Sequence, residues 1–99
     1  MPLTQLEQRL RDVARGRIAR GELPCLTPPL RMWGGYGQGE GCVLCDTMIK
    51  PSEVALEVEE SIEGKVKVLW FHIVCQSIWQ LECARAEYLK NPGKNPQVQ

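Results

Sequence analysis

The stretch that decides the fold runs from Cys42-Val43-Leu44-Cys45 to His72-Ile73-Val74-Cys75, with 26 residues between the two motifs. Three thiolates and one imidazole are a typical donor set of a tetrahedral structural zinc site, which needs four lone pairs brought to one point. We expect the second motif to lie in the first turn of a helix, where residues three apart share a face. The sequence therefore predicts one structural Zn²⁺, bound by Cys42, Cys45, His72 and Cys75.

The length and charge of the chain limit what it can be. With 99 residues it is at most one domain, and a core of that size gains much from a metal cross-link. Twelve basic residues balance twelve acidic ones. A net charge of zero argues against binding nucleic acid through bulk electrostatics.

The absence of a long apolar run and the cysteine count both bear on the compartment. No apolar segment follows a basic start at the N-terminus, and no run approaches the roughly 18–20 apolar residues of a membrane span. We therefore expect a cytoplasmic protein without a membrane partner, in which cysteines stay reduced. Five cysteines are an odd number, which also favours a metal site over a closed set of disulfides.

An amphipathic helix is predicted over residues 3–20. Thr4 and Glu7 form a Thr-x-x-Glu capping box at its start, and Gly21 is placed to end it. One apolar stripe is expected to consist of Leu3, Leu6, Leu10, Val13 and Ile18. The other faces carry arginines, which either form a solvated surface or contact phosphate or an acidic partner: Arg9, Arg11, Arg15, Arg17 and Arg20.

A Gly/Pro-rich arm follows the helix, so that residues 1–41 form one N-terminal unit. Five glycines lie within residues 33–41, but no Gly-Lys-Ser/Thr follows, which excludes a phosphate-binding loop. We expect an irregular arm whose Trp33 and Tyr36 anchor it by packing. The same two aromatic residues are candidate contacts to nucleic acid or to a partner.

Residues 46–72 predict a β-hairpin. Val54, Leu56 and Val58 alternate with polar or small residues, and Val66, Val68 and Trp70 do so after a turn. With a five-residue loop at residues 60–64, Glu57 faces Lys67 and Glu59 faces Lys65. The apolar residues of both strands then share the opposite face.

A second helix is predicted over residues 73–90, with an apolar stripe at Val74, Ile78 and Leu81 and with Trp79, Ala86 and Leu89 close by. Asn91-Pro92-Gly93 ends it. The polar tail is expected to be disordered over residues 91–99. The zinc-binding unit thus spans residues 42–90.

The elements follow one another as a knuckle, which is the turn that holds Cys42 and Cys45, then a hairpin and a helix. This order resembles a treble-clef zinc finger over residues 42–80. The fold class is therefore predicted as α+β, a small treble clef with an additional N-terminal helix. Within that group the pattern is most similar to the zinc fingers of poly(ADP-ribose) polymerases, which bind DNA breaks. The positions that match are Cys42, Cys45, Ile49, Trp70, His72 and Cys75.

The whole chain also resembles a group of small, uncharacterised bacterial proteins. These have a Trp-Gly-Gly arm before the same knuckle, here at Trp33, and a Trp-x-x-Glu-Cys helix after it, here from Trp79 to Cys83. That resemblance implies no activity.

The remaining metal-site expectations concern His72 and the two spare cysteines. An imidazole that binds zinc through one nitrogen commonly donates the other to a carboxylate, here Glu53 or Asp46. Cys83 lies about two helical turns beyond Cys75, too far to join the same tetrahedron, and is interpreted as a small buried apolar residue. Cys25 either replaces one ligand or is a free thiol.

Four protein ligands close a zinc site, so the chain is predicted not to be an enzyme and to have no small-molecule substrate. We expect a non-catalytic regulatory or adaptor module that binds a protein partner, with no prediction of oligomeric state. One alternative is a nucleic-acid-binding finger that uses the arginines of the first helix with Trp33 and Tyr36. A second alternative is a thiol redox sensor that forms a Cys42–Cys45 disulfide when the metal is ejected.

Overall fold

The computed structural model describes residues 4–25 and 31–90, apart from the side chain of Ile62. It confirms a small α+β architecture with two helices and one three-stranded antiparallel sheet of order β1-β2-β3. The elements are α1 (Gln5–Ala19), β1 (Arg31–Tyr36), β2 (Val54–Ile62), β3 (Lys65–His72) and α2 (Ile73–Lys90). The predicted disordered tail and Leu3 lie outside the described residues.

Helix α1 begins at the predicted capping box. The backbone N–H of Glu7 donates to the Thr4 hydroxyl, and the Thr4 N–H donates to the Glu7 carboxylate, each at 3.1 Å. Gly21, with φ of +76°, follows the end of the helix. The predicted stripe is only partly correct. The helix buries Leu10 and Ala14 against α2, and Ile18 on the same i, i+4 row packs against the core, but Leu6 on that row and Val13 beside it stay exposed.

The predicted irregular arm instead contains an edge strand. β1 pairs antiparallel with β2, from Arg31 opposite Glu59 to Tyr36 opposite Val54. Directly after β1, the chain at Gly37 runs close to the backbone of the segment that follows the knuckle. A Cβ at Gly37 would lie 2.2 Å from the carbonyl oxygen of Lys50. Only glycine fits this close backbone approach.

The hairpin exists, but the predicted register was wrong by three residues. Its turn is the two-residue loop Glu63-Gly64, in which both residues have positive φ, and not a five-residue loop. Glu57 therefore faces Trp70, and Glu59 faces Val68. A register shift by an odd number of residues exchanges the two faces of β3 relative to β2. Trp70 therefore lies on the face of the sheet that points away from the core.

The core lies between the sheet and α2. Val58 and Phe71 are fully buried on the sheet face that α2 covers, and the Phe71 ring stacks on Trp79 with centroids 5.0 Å apart. The start of α2 at Ile73 matches the prediction, and its predicted stop at residues 91–93 lies outside the described residues. The predicted stripe is only partly correct: Ile78 is buried, but Val74, Leu81 and the nearby Leu89 are exposed. The buried face instead consists of Cys75, Gln76, Ile78, Trp79, Glu82 and Cys83.

A disulfide joins Cys25 to Cys83, which corrects the interpretation of Cys83 as a small apolar residue and of Cys25 as a free thiol or substitute ligand. The loop after α1 returns to α2 and brings the two Cα atoms to 5.2 Å, within the range that a disulfide spans. The five cysteines thus divide into one disulfide pair and three thiols, so their odd number does not exclude a disulfide. Among the described residues, neither helix is both long and apolar enough to cross a membrane.

Candidate metal centre

The knuckle that carries Cys42 and Cys45 is a tight turn fixed by its own backbone. The N–H of Asp46 donates to the carbonyl of Cys42 at 2.9 Å, and the N–H of Cys42 donates to the carbonyl of Thr47 at 3.0 Å. Asp46 adopts a φ of +62°, the left-handed conformation that closes the turn. These two backbone hydrogen bonds close the turn that carries both thiols.

The hairpin and α2 supply the other two candidate ligands. His72 is the last residue of β3, at the predicted end of the hairpin, and the helix begins at Ile73. The expectation that the whole His-x-x-Cys motif lies in the first helical turn is therefore corrected for His72. Cys75 lies in the first turn of α2. The strand-to-helix junction therefore turns an imidazole and a thiol toward the knuckle.

The four donor atoms form one cluster. The ligand atoms of Cys42, Cys45, His72 and Cys75 all lie within 4.8 Å of one another. His72 Nδ1 is 3.4 Å from Sγ of Cys45 and 4.0 Å from Sγ of Cys75. Bonds of 2.0–2.3 Å to a tetrahedral ion put neighbouring donors about 3.5–3.8 Å apart. The cluster is close enough to hold a metal ion with small adjustments.

The ionisation of the thiols also suits a cation. A hydrogen bond from the Cys75 thiol lowers the pKa of Cys42 to about 4, against the opposing effect of burial. That same hydrogen bond, together with burial, raises the pKa of Cys75 above its ordinary value. The pair thus shares one proton and one negative charge, and a metal ion that displaces the proton would stabilise both sulfurs as thiolates.

Of the two predicted carboxylate partners of His72, Glu53 makes the contact. Its Oε1 lies 3.4 Å from Nε2 of His72 and also accepts a 2.8 Å hydrogen bond from the N–H of Lys50. The Lys50 hydrogen bond, and to a lesser degree His72, lower the pKa of Glu53. A proton kept on Nε2 leaves Nδ1 free to bind a metal.

Asp46, the other predicted partner of His72, instead binds Arg17 of α1. The Arg17 guanidinium forms an ion pair with the Asp46 carboxylate and donates to the carbonyl of Val43, inside the knuckle. The N–H of Val43 in turn donates to the carbonyl of Trp70 in β3 at 2.8 Å. These positioning contacts join residues far apart in the chain, so no local sequence pattern indicates them.

The arginines predicted to contact a partner are mostly engaged within the chain. Arg11 and Arg15 both bind the buried carboxylate of Glu82, at 2.6 and 2.7 Å. Arg20 pairs with the neighbouring Glu22 at 2.7 Å. With Arg17 on Asp46, only Arg9 of the five makes no ion pair among the described residues.

The two aromatic candidates, Trp33 and Tyr36, lie on the exposed edge strand β1, away from the metal ligands. The structure therefore does not bring them together with the arginines of α1 as one surface: Trp33 faces Glu57 of β2, and Tyr36 lies opposite Val54.

Comparison with known proteins adds no relative: no family, no curated protein and no solved structure matches this chain.

Proposed function

We propose that the chain binds one Zn²⁺ through Cys42, Cys45, His72 and Cys75. The observation that supports this is the convergence of four donor atoms, from a turn, a strand end and a helix start, within 4.8 Å of one another. Three sulfurs and one nitrogen in a tetrahedral arrangement favour zinc over harder cations, which prefer oxygen ligands.

The ion is proposed to be structural, and the chain not to be an enzyme. Four protein side chains fill a tetrahedral zinc ion and leave no position for water or substrate. The site joins the knuckle to the junction of β3 and α2, which the hydrogen bond from the Val43 N–H to the Trp70 carbonyl also connects. In this proposal the elements form a treble clef with α1 packed on α2 as an addition.

The proposed role is that of a small binding module for a protein partner. Three of the four arginines of α1, and Arg20 directly after it, already neutralise acidic groups of the same chain, so this segment offers little free positive charge. The hairpin, in contrast, carries the half-buried carboxylates of Glu57 and Glu59, and Glu57 lies between Trp33 and Trp70 in the sheet. We therefore place the partner surface on the sheet and not on α1.

Metal content and folding test the zinc proposal. Native mass spectrometry is expected to find one zinc per wild-type chain, and His72→Ala is expected to lose it together with the dispersion of its NMR spectrum. The matched control replaces both Cys25 and Cys83 with alanine, which removes two sulfurs but no proposed ligand. A well-folded wild-type chain without metal would overturn the proposal.

The nucleic-acid and redox alternatives stay predictions. Nucleic-acid binding through Arg9 and its neighbours would weaken steeply with added salt, since it depends on counterion release. Redox sensing requires zinc ejection and a Cys42–Cys45 disulfide under mild oxidant. Retention of the zinc under that oxidant would argue against it.

A further inference from the structure

One face of the sheet is not covered by either helix, and a row of three side chains crosses it. Trp33 of β1 is directly opposite Glu57 of β2, and Glu57 is directly opposite Trp70 of β3. Directly opposed residues point to the same face, with Cβ atoms about 4.5–5.5 Å apart. The carboxylate therefore stands between two indole rings on the open face.

A cleft of about 260 Å³ opens at this row. Its lining includes Trp33, Gly35, Tyr36, Glu40, Glu57 and Trp70. Sites for drug-sized molecules measure roughly 300–1,000 Å³, so this cleft has the size for a single side chain and not for a larger metabolite.

The charged residues that line the cleft in the described part of the chain, Glu40 and Glu57, are both acidic. Glu57 makes no ion pair or side-chain hydrogen bond in the described part of the chain. Glu59, two residues further along β2, differs from Glu57 because it lies opposite the basic residue Arg31. Glu40 adds a second carboxylate to the cleft, where it accepts a hydrogen bond from the backbone N–H of Gln38 at 2.6 Å. Among the described residues, none that lines the cleft is basic.

Aromatic rings around a carboxylate are a chemical match for an organic cation. The faces of tryptophan and tyrosine attract a cation within about 6 Å, and an adjacent carboxylate neutralises its charge. We propose that this cleft binds one lysine side chain of a partner protein, held between Trp33 and Trp70 and paired with Glu57. This inference rests on the proposed role as a binding module and names the chemistry of the partner.

The edge of the sheet indicates how the lysine is presented. β1 is an edge strand with no partner on its outer side among the described residues, so an extended peptide can add to it by backbone hydrogen bonds. In such a complex, the side chain of the peptide residue paired with Gly35 would point to the open face. The peptide strand itself would lie two strand spacings, about 9.6 Å, from β2. One extended lysine and the Glu57 side chain together span that gap.

Gly35 keeps the path from the edge into the cleft open. A Cβ built there meets nothing within 4 Å, and its φ is not in the left-handed region. A larger residue would therefore be tolerated by the fold while it fills the entrance. This makes Gly35→Val a blocking variant that should not disturb the core.

The test uses the zinc-loaded full chain, labelled with ¹⁵N, and two short peptides of alternating threonine and valine. One peptide carries a central lysine and the other carries norleucine, which has a similar length but no charge. The lysine peptide is expected to shift the indole N–H signals of Trp33 and Trp70 and to bind about ten-fold more tightly than the norleucine peptide. The Trp79 indole, which donates to the carbonyl of Pro24 inside the protein, is the internal reference.

Three variants identify the site. Glu57→Gln is expected to reduce binding of the lysine peptide to that of the norleucine peptide, and Gly35→Val to abolish binding of both. Glu59→Gln, with the same loss of charge on the same face but outside the cleft, is the matched control and should bind within about two-fold of wild type. Equal binding of the two peptides, or unchanged Trp33 and Trp70 signals at millimolar lysine peptide, would overturn the inference.

Zinc content measured on the same samples separates this inference from the zinc proposal. A chain with one zinc and no response to the lysine peptide would reject the lysine site and leave the zinc proposal standing. A chain that binds the peptide but holds no zinc would reject the zinc proposal and leave the lysine site standing.

Discussion

Glu53 contacts the side of His72 that points away from the cysteines, with Oε1 of Glu53 3.4 Å from Nε2 of His72. The imidazole thus has one nitrogen directed at the sulfurs and the other at a carboxylate. Such partners orient a metal-binding imidazole and make it a better donor.

This relationship predicts that Glu53→Gln weakens zinc binding by about ten-fold, at the low end of the range for such partners. The amide oxygen can still accept the hydrogen bond from Lys50, so the change isolates the charge next to His72. Competition with a chromophoric chelator measures the affinity. Glu63→Gln, at the exposed hairpin turn, controls for net charge; an equal effect of both variants would contradict the assigned role of Glu53.

A second prediction concerns Glu82, whose side chain is fully buried between two arginines. Burial opposes its ionisation, but hydrogen bonds from Arg15 and Arg11 prevail and lower the pKa of Glu82. Because both guanidinium groups are partly exposed, we expect Glu82→Gln to cost about 2 kcal/mol, less than the 3–5 kcal/mol of a fully buried pair. Urea unfolding measures the cost.

The pH dependence of this cost follows from the sign of the shift. A carboxyl whose pKa is lowered by folding stabilises the protein above its unfolded pKa, and that contribution is lost as pH falls through the folded value. The difference between wild type and Glu82→Gln should therefore be full at neutral pH and shrink below about pH 4. Glu22→Gln removes a carboxylate from a solvent-exposed pair and is expected to have no measurable effect. A pH-independent difference for Glu82→Gln would be inconsistent with the ion pairs.

The third prediction concerns the disulfide, which joins residues 58 positions apart. Replacing Cys25 and Cys83 together with alanine should lower the free energy of unfolding by about 2–4 kcal/mol, since the unfolded chain regains the freedom of a long loop. Urea unfolding in the presence of zinc measures the loss. Zinc stoichiometry should stay at one per chain; loss of zinc as well would mean that this cross-link positions the metal ligands.

The fourth prediction compares two glycines near the knuckle. Gly37→Ala would bring a Cβ to 2.2 Å from the Lys50 carbonyl and 2.6 Å from that of Ile49, so backbone has to move. We expect a loss of about 2–3 kcal/mol. At Gly41 an added Cβ meets nothing within 4 Å, and Gly41→Ala should change stability by less than about 1 kcal/mol. Similar melting temperatures for the two variants would contradict the close approach at Gly37.

The parts of the fold predicted correctly from sequence depend on local signals. The capping box of Thr4 and Glu7 and the start of α2 are each determined by a few neighbouring residues. The clustering of the four candidate ligands was also foreseeable, because two short motifs each hold a pair of donors. Glu53 could be named in advance only as one of two acidic residues near the knuckle.

The parts that sequence did not provide depend on tertiary contacts. β1 has two glycines and two aromatic residues and becomes a strand only because β2 lies beside it. The hairpin register depended on whether Glu63 could adopt a positive φ, and alternation of apolar residues cannot decide that. The pairing of Cys25 with Cys83, and of Arg17 with Asp46, requires the packing of α1 on the rest of the chain.

The presence of a disulfide and three thiols in one small protein has a consequence for how it matures. An oxidant acting on the bare chain meets five thiols, and only one of their possible pairings is the native disulfide. If the proposed zinc binds first, it withdraws Cys42, Cys45 and Cys75 from oxidation and leaves Cys25 and Cys83 as the remaining couple. The ion would then act as a protecting group, and metal supply during synthesis would decide the yield of correctly connected protein.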